Sequence, residues 1–462
     1  MTRAGPTVYL ILALAGLGGL SAVLLLAYFV SPLAAAALPV AAIVVVATLF
    51  RPLWGVYAAL LAVPLEILEL RLGGDAGLSP SEAVLLLAGG MALVQGIIGD
   101  RPFRPHFAHL ALGLLLVVMA MGLIVAEDRF LVAKVVIMWT AFLALSILVA
   151  SASAKDADRV LISLALAGGI VGLIAIVTTG DQELIVGGTV ANNRAEATFA
   201  HSNVLAFFLL LSIPPALALA SRRAPRLRIP MLVSAGLALA GLLLTLSRGG
   251  LVGLGLALLI LLAWRPYRRT ALVLLAVITA FAMINLEALS SPDELTVVGD
   301  RLSTLTNPDV VRTDPRFAIW ASTPAIILDH PLIGVGASNY GEVAPGYGLS
   351  GIAGLSYVDH AHNILLTFAA ETGLVGLVLA LLFACSVGWA GVRSLRGRHD
   401  SRFPLALSLC AALTGLALTS MGEYPIRTNV IMATVMIEVG ALISYARRET
   451  EPTPGRPPDT VV

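Results

Sequence analysis

The chain has little charge. Of 462 residues, 12% are Asp, Glu, Lys or Arg, while 58% are hydrophobic. Soluble domains carry about 25% charged residues, so an ordinary water-soluble globule is excluded. Cysteine is nearly absent: Cys385 and Cys410 both sit inside apolar runs and read as small core residues, not as a disulfide or metal ligands. Lysine occurs twice against 27 arginines. The glycine-rich stretch GVGASNYG has no P-loop lysine after it, so it reads as a turn and not as a nucleotide site. There is no HExxH and no Cys/His cluster, and no metal or other cofactor is expected. A net charge of +1 says little, because in such a chain the position of each charge matters more than the total. No nucleic-acid partner is expected.

What is there is apolar length. Runs of 17 to 25 apolar residues recur from end to end, and only helices or closed barrels can satisfy their backbone inside a bilayer. The fold expected is an all-α polytopic membrane protein with about 12–14 transmembrane helices and one long extracytoplasmic loop. Spans are placed near 7–30, 33–50, 53–70, 80–98, 106–126, 131–150, 159–178, 203–221, 229–246, 249–264, 270–290, 361–388, 403–420 and 428–446. The run at 7–30 reads as a retained first span, too long for a signal-peptide core. Pro64, Glu66 and Glu69 interrupt the third span. Ser79-Pro80-Ser81-Glu82 predicts a capping box with proline at the first helical position of the fourth.

With the N-terminus cytoplasmic, twenty of the 29 basic residues fall on cytoplasmic segments. The positive-inside rule therefore fixes the orientation and puts loop 291–360 outside. The nine basic residues left outside are Arg71, Arg129, Lys134, Arg194, Arg248, Arg301, Arg312, Arg316 and Arg427. Arg71 and Arg129 read as solvated charges beside Asp75 and Asp128. Arg248, in TLSRGGLVG, has no acidic neighbour in sequence, and its planar fork between Ser247 and two glycines suits a phosphate. Arg194 lies in ANNRAEATFAHSN with Asn192, Asn193, Glu196, Thr198, His201, Ser202 and Asn203, a dense set of donors suited to sugar hydroxyls and phosphate; the alternative is an ordinary helix entry with Ser202 or Asn203 as its cap. Arg316 opens RFAIWASTPAIILD, where the spacing of Phe317, Trp320 and Ile327 predicts an interfacial helix that Pro324 limits.

The segment DHAHNILLTFAAETGLVG, Asp359–Gly376, concentrates polar groups at the start of a membrane helix, where they are costly and usually functional. Asn363, Thr367 and Glu371 form one stripe at four-residue spacing. His362 at its mouth is a candidate general base. On a helix His360 and His362 would point about 200° apart, so a shared metal is not expected.

These residues resemble a known family. HNILLTFAAETGLVG fits the pattern His, Asn/Ser/Gln, nine residues, Gly, two residues, Gly, with His362, Asn363, Gly373 and Gly376 in register. It is similar to the O-antigen ligase and polymerase family of bacterial envelope enzymes, as are the RAEATFAHSNVLA, SRGG and RFAIWASTPAIILDHPLIGVGASNYG segments. The resemblance covers about residues 190–380. It implies a membrane glycosyltransferase, GT-C-like in fold and metal-independent, in the bacterial inner membrane with its site outside. The donor implied is an undecaprenyl-pyrophosphate-linked glycan, and the acceptor a glycan, lipid or protein. Residues 1–178 would be N-terminal transmembrane helices, 179–446 the catalytic region, and 447–462 a disordered cytoplasmic tail. His362 and Arg248 match the catalytic positions; Arg194 and Arg316 match binding positions, with Asn363, His360, His201 and Glu371 beside them. A solute transporter of similar hydropathy is the rival, but it should show internal repeats and broken helices at mid-membrane, and no clear repeat is present. A membrane scaffold would leave the outer arginines unexplained.

If Arg248 grips pyrophosphate with its fork, Arg248→Lys should impair glycan transfer although the charge is kept. Steady-state transfer by the purified variant checks this, and full activity would refute a bidentate contact.

Overall fold

The computed structural model describes residues 32–66, 70–71, 77–98, 104–179, 195–199, 201–222, 225–288, 315–349, 358–396 and 402–447. Fifteen α-helices account for most of them. In chain order they are α1 (Pro32–Phe50), α2 (Pro52–Ala62), α3 (Pro80–Ile98), α4 (Phe107–Met121), α5 (Arg129–Ser151), α6 (Ala154–Thr178), α7 (Ser202–Ala220) and α8 (Pro225–Leu244). Then follow α9 (Arg248–Leu261), α10 (Arg265–Ala288), α11 (Pro315–Asp329), α12 (Tyr340–Val343), α13 (Ile364–Leu395), α14 (Phe403–Thr419) and α15 (Asn429–Arg447). The strands among the described residues are two residues each, Leu70–Arg71 pairing antiparallel with Gly77–Leu78. Eight of the helices are long and apolar enough to cross a membrane, and four shorter apolar ones accompany them. The chain is a multi-pass helical membrane protein. The expected first span and the tail beyond Arg447 lie outside the described residues.

The local sequence explains where helices start. Ser79 and Glu82 form the capping box at α3: the Glu82 amide donates to Ser79 Oγ at 3.2 Å and the Ser79 amide to Glu82 Oε2 at 3.1 Å. Asp128 caps α5 through Phe130 and Leu131, and Ser153 caps α6 through Asp156. The expected third span departs from a single helix. It stops at Ala62, tightens to a 3₁₀ turn over Val63–Leu65 and turns into the hairpin, because Pro64 cannot donate to a continuing helical ladder. The helix after the ANNRAEATFAHSN segment is preceded by His201, whose side chain makes no cap bond, so Ser202 and Asn203 are helical residues and not the cap.

One buried apolar core runs through α2 to α10 and α13 to α15. Small residues set its closest approaches. A Cβ on Gly172 of α6 would lie 2.3 Å from the Leu237 carbonyl oxygen of α8, the small-residue contact that brings membrane helices together. At one end of the bundle Arg222 pairs with Asp158 at 2.9 Å, which also accepts from Tyr445 at 2.7 Å. The helix starts of α7, α9, α11 and α13 lie at the other end. There a second small core (Ile319, Ile326, Val335, Tyr340 and Ala361 among its members) joins α11 and the loop after it to α13.

α13 is broken at Gly373, whose φ of 68° and ψ of −176° are non-helical. The glycine-rich turn fills the break. The amides of Val335 and Gly336 donate to the carbonyls of Ala370 and Glu371 (2.9 Å each), and the Leu374 amide donates to Pro331 O at 2.8 Å. Asn339, fully buried, ties the same turn to the loop before α5, accepting from the Asp128 amide at 2.7 Å and donating to its carbonyl at 3.0 Å. A Cβ at Gly373 would lie 2.3 Å from the Leu332 carbonyl. Gly373→Ala should therefore destabilise the protein by about 2 kcal/mol or more, combining left-handed strain with backbone collision. Gly388→Ala, where a Cβ meets nothing within 4 Å, should not. Thermal melting of both variants in detergent checks the difference.

Candidate active site

The polar segment before α13 is pinned on every side. Asn363 caps the helix, its Oδ1 accepting from the amides of Leu365 at 3.0 Å and Leu366 at 3.1 Å. Its Nδ2 donates to Met421 O at 2.8 Å, and the Ile364 amide donates to Ser420 O at 2.9 Å. The Ala361 carbonyl accepts from the Trp320 indole at 2.9 Å, and its amide donates to Thr367 Oγ1 at 3.3 Å. Between these anchors His362 is held at φ 49°, a left-handed conformation that costs energy for a residue with a Cβ. The turn carries the His362 ring back onto His360, with centroids 4.1 Å apart and planes tilted by 40°. Neither histidine is helical, so the separation expected of a helix does not apply: α13 begins only at Ile364.

The loop between α14 and α15 supplies the centre of the site, Glu423. Its Oε1 accepts from Arg316 Nη2 in an ion pair and lies 3.5 Å from Asn203 Nδ2. Its Oε2 lies 3.7 Å from His362 Nδ1. That is ion-pair range and too long for a hydrogen bond, and His362 Nδ1 is buried with no hydrogen-bond partner. A Cβ on Gly249 would lie 3.9 Å from Glu423 Cγ, which brings the SRGG turn beside the carboxylate. There Ser247 Oγ caps α9 by accepting from the Gly250 amide at 3.3 Å, and Arg248, half-buried, is the first residue of that helix. Thus α7, α9, α11 and α13 all begin around one carboxylate, each contributing the partial positive charge of a helix N-terminus. Burial pushes the Glu423 carboxyl up, but His362 and the Arg316 guanidinium outweigh it and hold the group below its ordinary range.

A second acidic group stands behind the histidines. Asp359 accepts from His360 Nδ1 through Oδ1 and pairs with Arg427 through Oδ2. Burial raises this carboxyl, yet the bond from His360 and the charge of Arg427 prevail and hold it at about 2. His360 lies below its ordinary value, burial outweighing the Asp359 bond. Tyr424 stacks 5.8 Å from His360 and closes the back of the site.

The structure thus gathers His362, His360, Asn363, Arg316 and the Arg248 turn. It does not gather the rest. Glu371 is buried in α13 and faces the backbone amides of Ser338 and Tyr340, where it serves the glycine-rich turn. His201 is exposed at the head of α7, and Asn203, two residues on, is the side chain that reaches Glu423. Arg194 lies outside the described residues. α11 is helical as expected, but Pro324 does not limit it, and it packs Ile319, Thr323 and Ile326 inward while its Trp320 holds the histidine segment. Sequence reasoning missed Glu423 and Asp359 as site residues, and read Asn203 only as one of a donor cluster or a cap, not as a partner of Glu423. MGEYPIRTN does hold a signal for the first: a carboxylate in a short polar turn between two apolar helices.

Residues 233–381 match the family described as O-antigen ligase. The match takes in Arg248, Arg316, His360, His362, Asn363 and Glu371; Asn203 and Glu423 fall outside it. No curated protein matches the chain.

Because the folded-state value of Glu423 is depressed, its contribution to stability is full above the ordinary carboxylate range of about 4.3. It is lost as pH falls through the folded value. Melting temperature should therefore drop on acidification in wild type and less steeply in Glu423→Gln. A double-mutant cycle with Arg316→Gln should give a favourable coupling of about 1–3 kcal/mol. A coupling of zero would show that the pair does not hold the site.

Proposed function

Starting from an O-antigen ligase family domain at residues 233–381, we propose that this membrane protein transfers a saccharide from undecaprenyl pyrophosphate to an acceptor hydroxyl on the outer face of the bacterial inner membrane. The observation that carries the reading is the meeting of His362, Arg316 and the Arg248 turn around Glu423. A base, a guanidinium fork and helix N-termini are what this displacement needs. The acceptor oxygen forms a bond to the anomeric carbon while the carbon–oxygen bond to pyrophosphate breaks. The electron pair leaves with the pyrophosphate, and the hydroxyl proton passes to His362. With Nδ1 turned toward Glu423, Nε2 is the nitrogen that takes this proton, and Glu423 is a positioning residue for it. Arg316 and Arg248 bind the leaving pyrophosphate, with the amides at the start of α9. Charge and atoms balance without a metal. Catalysis is assigned to the region 179–446, with Arg194 as a further donor contact.

A lipid-linked donor also fits the surroundings. A groove of about 570 Å³ begins directly under the histidine segment at Ile364, Leu365 and Phe368 and continues past Trp139, Met436 and Val439. Its walls are almost entirely apolar, the chemistry of a polyprenyl chain. The positive-inside count supports the outward orientation, since the arginine-rich connections lie at the end of the bundle opposite His362. A polymerase would use the same base and the same leaving group and differ only in taking a lipid-linked repeat as acceptor. Supplying purified protein with each acceptor in turn separates the two.

A positioned base contributes typically 10²–10⁴-fold, so His362→Ala should lower transfer by about that factor without loss of thermal stability. Assay of the folded, purified variant with lipid-linked donor checks it; near-normal transfer would sink the assignment of the base.

A further inference from the structure

The histidine segment carries a feature that glycan transfer does not use. Asp359, His360 and His362 each place one ligand-capable atom within 4.8 Å of the other two. The two imidazoles converge because they are two residues apart in non-helical backbone and because the left-handed turn at His362 folds its ring onto its neighbour. From these positions we infer a divalent transition-metal site, of the Zn²⁺ class, formed by Asp359, His360 and His362.

The donor set suits such an ion. Two imidazoles and one carboxylate are borderline ligands of the kind Zn²⁺ takes when a fourth position stays open. Tetrahedral bonds of about 2.0–2.1 Å put ligand atoms roughly 3.3 Å apart; the three atoms now lie within 4.8 Å of one another, and closing the set takes side-chain rotation that replaces the Asp359–His360 hydrogen bond with bonds to the ion. His362 Nδ1 has no hydrogen-bond partner to surrender. His360 is already bonded to the Asp359 carboxylate through Nδ1, which fixes its ring beside the second ligand. Asp359 can ligate through one oxygen while Arg427 keeps the other, the outer contact that commonly orients a ligating carboxylate.

The consequence rests on the role proposed for His362. A metal bound at Nδ1 takes the one basic lone pair of the neutral imidazole and leaves the proton on Nε2, so the base is withdrawn from the acceptor hydroxyl. The ion is therefore an inhibitor of transfer and not its cofactor, and free Zn²⁺ outside the membrane would regulate the enzyme.

The test titrates tag-free, full-length protein in detergent with Co²⁺ and follows the visible ligand-field absorption of a nitrogen-coordinated ion. One saturable site is expected, displaced by Zn²⁺, lost in His360→Ala and in His360→Gln, and unchanged in His330→Ala. Binding is read without substrate, so it stands or falls independently of the glycan chemistry. No saturable Co²⁺ binding, or binding that survives loss of His360 in a variant that melts like wild type, overturns the site. In transfer assays stoichiometric Zn²⁺ should abolish wild-type activity, and EDTA should restore it. Unchanged transfer in protein shown to hold the metal overturns the inhibitory role.

Discussion

The carboxylate of Glu423 is the constraint on which the functional end of the molecule depends. Four helices begin around it, and each start carries amides with no helical partner. Two positive or protonatable side chains, Arg316 and His362, face it as well. Without an anion there the amides and guanidinium would repel one another in a poorly solvated site. With one, α11 is drawn onto α13 through Arg316, and the α14–α15 loop is drawn onto the head of α13, where Asn363 and Ile364 bond to Met421 and Ser420. The same field explains why an anionic substrate would be attracted. On the proposed reading, a pyrophosphate would bring more charge than the carboxylate and find positive groups already in place, the preorganisation that electrostatic catalysis needs.

The second constraint is steric, and it lies in the break of α13. A continuous helix from Ile364 to Leu395 would present no groove for the backbone of the 331–340 turn. The left-handed Gly373 opens the helix, and the amides of Val335 and Gly336 take the carbonyls thereby freed. Asn339 carries the connection on to the loop before α5. The histidine segment is thus fixed from below by its own helix and from the side by Trp320. The loop beneath Trp320 is fixed in turn by Glu371. This chain of contacts gives Glu371 its physical role. A carboxyl one helical turn deeper than Thr367 cannot reach the mouth of the site, but it can accept from the amides of a turn lodged against the helix.

Much of the architecture is legible in the sequence because hydropathy and proline act locally. Helix starts at Pro80 and Asn363, the break after Ala62 and the helix containing Arg316 all follow from residues within one turn of the event. His362 and Arg248 are also legible, since a costly polar group at a membrane helix end announces itself. Asn203 and Glu423 are not, for a different reason. Their meaning comes from partners 220 residues apart in sequence, and neither stands out from polar turn residues of the same type. The spacing argument for His360 and His362 shows the same limit in reverse. It treats the segment as helical, and two residues of non-helical backbone before Asn363 change a separation of half a turn into a ring-on-ring contact.

That contact bears on how the base can work. An imidazole exposed at a membrane surface is free to rotate and pays an entropic penalty each time it is aligned. His362 is denied that freedom: its backbone sits in a left-handed well, His360 lies against one ring face, and Glu423 stands off Nδ1. The 3.7 Å gap to Glu423 is informative because Glu423 is shared. While Oε1 and the rest of the carboxylate answer Arg316, the bond to His362 stays long. On the proposed reading, a pyrophosphate that takes Arg316 removes the carboxylate's strongest competitor for the imidazole and leaves it free to close on Nδ1, which would couple donor binding to orientation of the base.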